Sequence, residues 1–461
     1  MGHPDSTSGH EPQATTTLDA GDIEGILADL RIAHDRFARD FAGDPAGRQP
    51  IHTVYGGAQL FRADSARKIG ALALKSLEQY AADSKTLAAA LGIAEAGADP
   101  ERLRTRIADK LTSEPVEDYR IDFEDGYGHR PDAEEDGHCV SVAAEVADGF
   151  RRGALPPFIG IRIKPVSAEL HRRSLRTLDL FVTALARALD GGFVPGFRVT
   201  IPKVVDRAQI AAVAACCDVL EQRLRLADGT LRLEIMIETP QSIIDAEGRS
   251  PLRGFVEAGN GRITAAHFGA YDYPALCGIT AAWQHLRHPA CDFARHMMQV
   301  ALAQSGVHLS DSVTTTLPVP VHRQIAEALS SDQMRENAAA VHHAWRLHFD
   351  NVRRSLVHGF YQGWDLHPAQ LVPRYAAVYD FFSAAREAAA ARLRHFVAQA
   401  THATLVGEVF DDAATAQGLV NFFVRGVDSA ALTAAEAEET GLTLDELRGR
   451  SFAKIIEQRR R

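Results

Sequence analysis

Five short apolar runs in this chain each end in a charged residue, and no other feature of the sequence constrains the fold as strongly. YRIDFED ends at Glu124 and Asp125, FIGIRIKP carries Arg162, RVTIPKV carries Lys203, LRLEIMIETP carries Glu238 and ITAAHFGAYDY carries Asp272. A strand buried on both faces of a parallel sheet reads as a near-continuous apolar run. In a (β/α)₈ barrel the chemistry sits at the rim where such strands end. Three of the five ends bear carboxylates and two bear cations. That combination suits a divalent metal held beside an anionic small molecule.

Composition bounds this reading. A chain of 461 residues, 46% of them hydrophobic, has room for a barrel of about 250 residues and an appended unit. A formal charge of -10 argues against a nucleic-acid binder, which needs a basic face. The five cysteines (Cys139, Cys216, Cys217, Cys277 and Cys291) are odd in number and form no CxxC pair, so neither a disulfide framework nor a zinc site is expected. There is no run of about 18 apolar residues, and the opening MGHPDSTSGHEPQATTT lacks an apolar core. A cytoplasmic protein with no membrane partner is therefore expected.

Along the chain, residues 1–20 read as a disordered tail and 21–50 as an N-terminal helical segment, with helical periodicity over 18–41 that GDPAGRQP breaks. The first strand is expected over 52–57, a long helical crossover over 65–91 and on to Pro115, then the second strand ending in DFEDGYG. Helices over 133–152 and 168–189, the Cys216 helix and a short helix near Ser250 alternate with the remaining runs. Such βαβα alternation signals a parallel sheet with helices on its faces. Two less regular strands complete the eight, one around 312–318 and one at 363–371. The fold class is thus α/β, a (β/α)₈ TIM barrel over residues 51–375. Residues 376–461 form a C-terminal helical extension, alanine-rich to about Ala400 with a final helical pair over 431–461.

The order of the segments DFEDGYG, IRIKP, PKV, IETP, GAYDY and GFYQGWDLHPAQ resembles the HpcH/HpaI aldolase and citrate lyase β-subunit superfamily, which includes malyl-CoA lyases. Members commonly read DLEDSV, VRIN, PKV, IET, GxxDL and GxxGKxxIHPxQ at corresponding places. The likeness spans roughly residues 50–375. It implies a Mg²⁺- or Mn²⁺-dependent carbon–carbon lyase or aldolase, assembled as a homo-oligomer. The substrate would be a small oxo or hydroxy acid, free or as a CoA thioester.

By that resemblance Glu238 and Asp272 are the metal ligands, and hard carboxylate oxygens suit Mg²⁺, which keeps sites open for water and substrate. Without it, Glu238 could pair with a buried cation and Asp272 could cap a helix starting at Tyr273 or Pro274. Arg162 lies inside an apolar strand, where a charge is costly unless paired or serving a ligand. The family arginine binds the oxo acid and the developing enolate, while a salt bridge to Glu124 or Asp125 is the plain alternative. Glu124 and Asp125 correspond to acids near the metal that orient its waters, and Lys203 is read first as the cation that neutralises one of them. Lys164 replaces the family's asparagine and adds a positive charge near the mouth. HTVYGGAQLFRADSARKI resembles the family's first strand and loop, so Arg67 and Lys68 are candidate contacts to an acyl-CoA, with solvated surface as the alternative. His367, Pro368 and Gln370 match the family closely, yet His367 is expected to be structural, its ring bonded to nearby backbone. His342 and His343 lack an acid partner at ligand spacing and make no zinc site.

Cleaving a β-hydroxy acid requires loss of the hydroxyl proton and stabilisation of an enolate, and a metal with Arg162 would supply charge where it develops. Thioester hydrolysis on the same barrel and a non-catalytic subunit are the competing readings, because folds do not fix function. The C-terminal extension, with residues 421–450 rich in both apolar and acidic residues, is either a lid over a site or ordinary helical packing.

Overall fold

The protein is described from a computed structural model that covers residues 17–43, 47–93, 99–324, 328–402, 413–449 and 451–460. Residues 1–16, on which most of the expected disordered tail falls, lie outside the described residues. Strands β1 (His52–Gly57), β2 (Asp118–Asp122), β3 (Phe158–Arg162), β4 (Arg198–Ile201), β5 (Arg232–Ile237), β6 (Ile263–Phe268), β7 (His308–Val313) and β8 (Gln362–Asp365) close into a barrel in chain order. Every pairing is parallel, including the closure of β8 on β1.

Helix α1 (Ala20–Asp40) buries none of its side chains. The β1–β2 crossover holds α2 (Ser65–Tyr80), α3 (Ser84–Leu91) and α4 (Pro100–Ser113). Asp83 ends the expected continuous run by N-capping α3 through Thr86 N–H at 2.7 Å. The remaining crossovers hold α5 (Asp132–Arg151), α6 (His171–Ala188), α7 (Arg207–Leu224), α8 (Pro240–Ile243), α9 (Leu252–Ala258), α10 (Asp272–Leu276), α11 (Pro289–Leu302) and α12 (Ser331–Val357). After β8 come α13 (Leu371–His402), α14 (Ala413–Asp428), α15 (Ala434–Glu438), α16 (Leu444–Arg448) and α17 (Phe452–Arg460). No helix among the described residues is long and apolar enough to cross a membrane. All five cysteines are free thiols.

The strands alternate in a way that sorts their chemistry. Tyr119, Ile121, Phe123, Ile159, Ile161, Val199, Ile201, Leu233, Ile235 and Ile237 belong to the large core between barrel and helices. Side chains of opposite parity fill the barrel, and there they are polar. Arg120 reaches from β2 to Glu234 on β5 at 2.8 Å and to Asp118 at 2.7 Å. Thr53, Thr200 and His267 extend the network: Thr53 to Asp118 at 3.0 Å, Thr200 to Glu234 at 3.1 Å, and His267 to Glu234 at 3.3 Å. Gly160 makes the space, since a Cβ there would lie 2.1 Å from Arg120 Nη1. Above this layer Met236, Val313 and Trp364 form a small apolar floor with Tyr55 and Tyr271 against it.

Three expectations need correction. The seventh strand is His308–Val313, not 312–318; HLSDSV has little apolar content because Ser310 and Ser312 are buried polar groups and Asp311 is buried on Arg295 at 2.8 Å. The eighth ends at Asp365, because Pro368 and a reciprocal cap between His367 and Gln370 turn the chain into a 3-10 helix over Pro368–Gln370. The C-terminal extension contains α14, which the sequence reading passed over, and three short helices where a pair was expected.

Candidate functional site

The C-terminal ends of β2 to β6 bring the charged strand ends together at one rim. Arg162, the last residue of β3, is buried and gripped by Asp122, the last residue of β2: Nε to Oδ1 at 2.7 Å and Nη2 to Oδ2 at 2.5 Å. This two-pronged geometry leaves Nη1, which lies 3.1 Å from Glu124 Oε2. The guanidinium also sits over the Tyr55 ring, 4.8 Å from its centroid. Its pKa is held well above the ordinary arginine value, the charge of Asp122 outweighing burial. The expected partners of Arg162 were Glu124 and Asp125; the principal one is Asp122, which the sequence reading missed. Parity carried the signal, since Asp122 falls two residues before Glu124 and two after the inward Arg120.

Asp122 also shapes the turn that follows β2. It accepts the N–H groups of Glu124 at 3.0 Å and Gly126 at 2.7 Å. A Cβ on Gly126 would come within 2.6 Å of Asp122 Oδ2, so the close approach needs glycine there. Glu124 is buried and Asp125 is largely exposed. Burial pushes the Glu124 carboxyl up against the pull of Arg162 and Lys203. At Asp125 burial works in the same direction, yet Arg162 and Lys203 hold that carboxyl below the usual range.

Lys203 follows β4 and its ammonium is hydrogen-bonded to Glu124, with Asp125 Oδ2 at 3.4 Å and Asp272 Oδ2 at 4.0 Å. The expectation put first was a cation neutralising one of these two acids, and the ammonium bonds to Glu124 with Asp125 nearby. Its backbone N–H donates to Glu238 Oε1 at 2.7 Å. Glu238 is 1% exposed, and its carboxyl is pushed up to about 8, first by burial and then by the negative charges of Asp272 and Glu124, with Lys203 and Arg162 opposing. Gly269 lets β6 approach it, since a Cβ there would lie 2.4 Å from Glu238 Cβ. Asp272 opens α10 without capping it, and its side chain is 41% exposed.

The other candidates lie apart from this cluster or are spent elsewhere. Lys164 donates to the Phe123 carbonyl at 2.8 Å and pairs with buried Glu135 at 3.2 Å. Arg67 and Lys68 are exposed in the first turns of α2, where Lys68 meets Asp64 at 3.0 Å. The His367 ring accepts the Ala369 N–H at 3.2 Å, the backbone bond expected of it. His342 bonds to the Tyr80 carbonyl at 2.7 Å.

Among the described residues no group of three or more His, Cys, Asp or Glu side chains is arranged to hold a metal ion. Two carboxylates at one rim still suit Mg²⁺, which commonly takes one or two and fills its shell with water and substrate oxygens. The charges at the rim are a sign of fit: Glu124, Asp125, Glu238 and Asp272 gather around Lys203 and an Arg162 already held by Asp122, and a divalent cation would offset the excess of negative charge.

A family model described as a domain of unknown function, DUF6986, matches residues 30–455. No curated protein matches the chain. Among solved structures it is similar to Haloferax volcanii malate synthase in its native form with glyoxylate, at 14% identity over 90% of this chain and 99% of that one, with a TM-score of 0.46. The magnesium and glyoxylate complex of the same enzyme matches at 15% identity over 89% and 97%, with a TM-score of 0.42. A HpcH/HpaI aldolase/citrate lyase family protein from Burkholderia cenocepacia J2315 matches at 13% identity over 74% and 95%, with a TM-score of 0.34.

Proposed function

Because the chain belongs to the DUF6986 family, whose description assigns no chemistry, we propose its activity from the rim itself: a divalent-metal-dependent carbon–carbon lyase or aldolase that cleaves or forms a hydroxy acid, or its acyl thioester, through an enolate. The observation that carries this reading is the convergence at one rim: Lys203 links the two strand-end carboxylates, its N–H on Glu238 Oε1 at 2.7 Å and its ammonium 4.0 Å from Asp272 Oδ2, where Arg162 Nη1 lies 3.1 Å from Glu124. Glu238 and Asp272 would hold Mg²⁺ or Mn²⁺. Bound there, the ion would serve as a Lewis acid toward the carbonyl of a 2-oxo acid such as pyruvate or glyoxylate.

The protein's own groups do the rest. Asp122 fixes Arg162 by two prongs, so Nη1, which meets Glu124 at 3.1 Å and otherwise only the weak acceptor Met236 Sδ at 3.6 Å, is the edge with an N–H to offer a substrate carboxylate or the oxygen on which enolate charge develops. Being pre-oriented, that donor needs no reorganisation as charge moves. Glu124 and Asp125 anchor Lys203 and so keep the rim's charges in register. Tyr55, Met236 and Trp364 beneath the mouth exclude water from the reacting end. Arg67 and Lys68, exposed at the start of α2, are the candidate contacts for the remote end of a CoA thioester. Free thiols on all five cysteines support a reducing, cytoplasmic setting, and a homo-oligomer is the proposed assembly.

The test pairs substitution with product analysis. Glu238→Ala and Asp272→Ala should each abolish both binding of Mn²⁺ and cleavage of the substrate into two carbon fragments. Release of a free thiol with the carbon skeleton intact would identify a hydrolase. Cleavage that persists in metal-free protein would refute the mechanism.

A further inference from the structure

Lys203 stands where the rim acids converge. Its ammonium is hydrogen-bonded to Glu124 and lies 3.4 Å from Asp125 Oδ2 and 4.0 Å from Asp272 Oδ2, while its backbone N–H holds Glu238 Oε1 at 2.7 Å. Among the described residues, no other residue is hydrogen-bonded or ion-paired to both Glu238 and Asp272. To reach this place Lys203 adopts a φ of 50°, a left-handed backbone that a residue with a Cβ adopts only when its surroundings dictate it. The side chain is 31% exposed, so apolar packing is not what dictates it. What the turn achieves is to aim one N–H and one ammonium at neighbouring carboxylates.

Four acids crowd here against Lys203 and Arg162, and Arg162 is already gripped by Asp122. Lysine carries its charge on a flexible four-carbon stem, so the ammonium can swing away while the backbone N–H stays on Glu238. A divalent ion arriving at Glu238 and Asp272 would meet that ammonium within a few ångströms, and like charges at such range repel strongly where solvent is partly excluded. We infer that Lys203 is a tethered counter-ion that competes with the divalent cation for the rim carboxylates. It keeps the acids together in the ion-free protein and sets how tightly the ion is held. This rests on the reading of Glu238 and Asp272 as ion ligands.

The test is a Mn²⁺ titration by calorimetry, with the bound ion counted by electron paramagnetic resonance, on full-length wild type, Lys203→Met, Lys203→Gly and Lys203→Arg. The glycine variant removes the ammonium while tolerating the left-handed turn, so it guards against a misfolded methionine variant. Both uncharged variants should bind Mn²⁺ about tenfold more tightly than wild type, and Lys203→Arg should stay near wild type. Without ion the uncharged variants should melt below wild type, and saturating Mn²⁺ should close that gap. Equal or weaker Mn²⁺ binding by both uncharged variants, with cooperative melts, would overturn the competition. Absence of Mn²⁺ binding by wild type would instead remove the assignment of Glu238 and Asp272 as ligands, so the two failures are told apart by the wild-type titration alone.

Discussion

At the mouth of the barrel, single atoms of clearance decide what the rim can hold. Asp122 takes two edges of Arg162 and two backbone N–H groups of its own turn, so the placement of the guanidinium and the path of the DFEDG loop are one construction. Gly269 has a comparable role for Glu238: a Cβ there would sit 2.4 Å from Glu238 Cβ and 2.7 Å from Oε2. Gly269→Ala needs no unusual backbone angle, so the fold should persist while Glu238 is pushed off its position. Because a ligand displaced by a fraction of an ångström loses much of its use, Mn²⁺ affinity should fall about 10–100-fold, the range seen when groups supporting metal ligands are disturbed. Calorimetric titration beside a thermal melt checks this, and unaltered affinity would show that Glu238 is not a ligand. The charged strand ends were legible in the sequence because each closes an apolar run. Asp122 was not, because it lies inside one; only the in-out parity of β2 marks it.

The strands explain where legibility stopped. An apolar run identifies a buried strand when its outward residues are branched and its flanks are turns, which holds for β2 to β6. In β7 the outward Asp311 is paired with Arg295 and Ser355, so tertiary partners replace the hydrophobic signal and the strand was expected four residues late. Inside the barrel, Arg120, Asp118 and Glu234 form a fully buried charge network. Removing one member of such a network leaves its partners uncompensated, at a cost of about 3–5 kcal/mol. Arg120→Met should therefore lower the unfolding free energy by roughly that amount, read from the midpoint of urea unfolding, without altering the outer core. In the last helices, Glu446 accepts from Arg459 at 2.7 and 2.8 Å and from the Thr443 cap, and these bonds hold its carboxyl down at about 2. A depressed carboxylate stabilises the fold above its unfolded pKa near 4.3 and loses that contribution as pH falls toward 2. Proteolysis near the C-terminus should accordingly rise between about pH 4 and 2 in wild type, and Glu446→Gln should flatten that rise.

At the scale of the whole molecule, the question for the C-terminal extension is which end of the barrel it serves. Arg425, Asp428 and Ser429, at the end of α14 and just beyond, line a cavity with Gln49 and Ile51 before β1, His308 at the start of β7, and Val378 and Phe382 of α13. These are the N-terminal ends of the strands, opposite the rim that carries Glu238 and Asp272. Among the described residues, this part of the extension is packed at the base of the barrel. Conservation of the barrel's two ends for different tasks, stability below and chemistry above, is how such folds divide labour. Phe382 tests the division directly: it is 1% exposed and its ring meets Phe422 at 4.9 Å and Phe381 at 5.3 Å. Phe382→Ala opens a cavity between α13 and α14 and should destabilise the protein by about 3–5 kcal/mol. If the two ends are independent, Mn²⁺ affinity at 25 °C should stay within about twofold of wild type, since distant sites without shared partners add rather than couple. A large loss of Mn²⁺ binding in the folded variant would show instead that the extension reaches the rim through the barrel wall, and that the base and the site are a single cooperative unit.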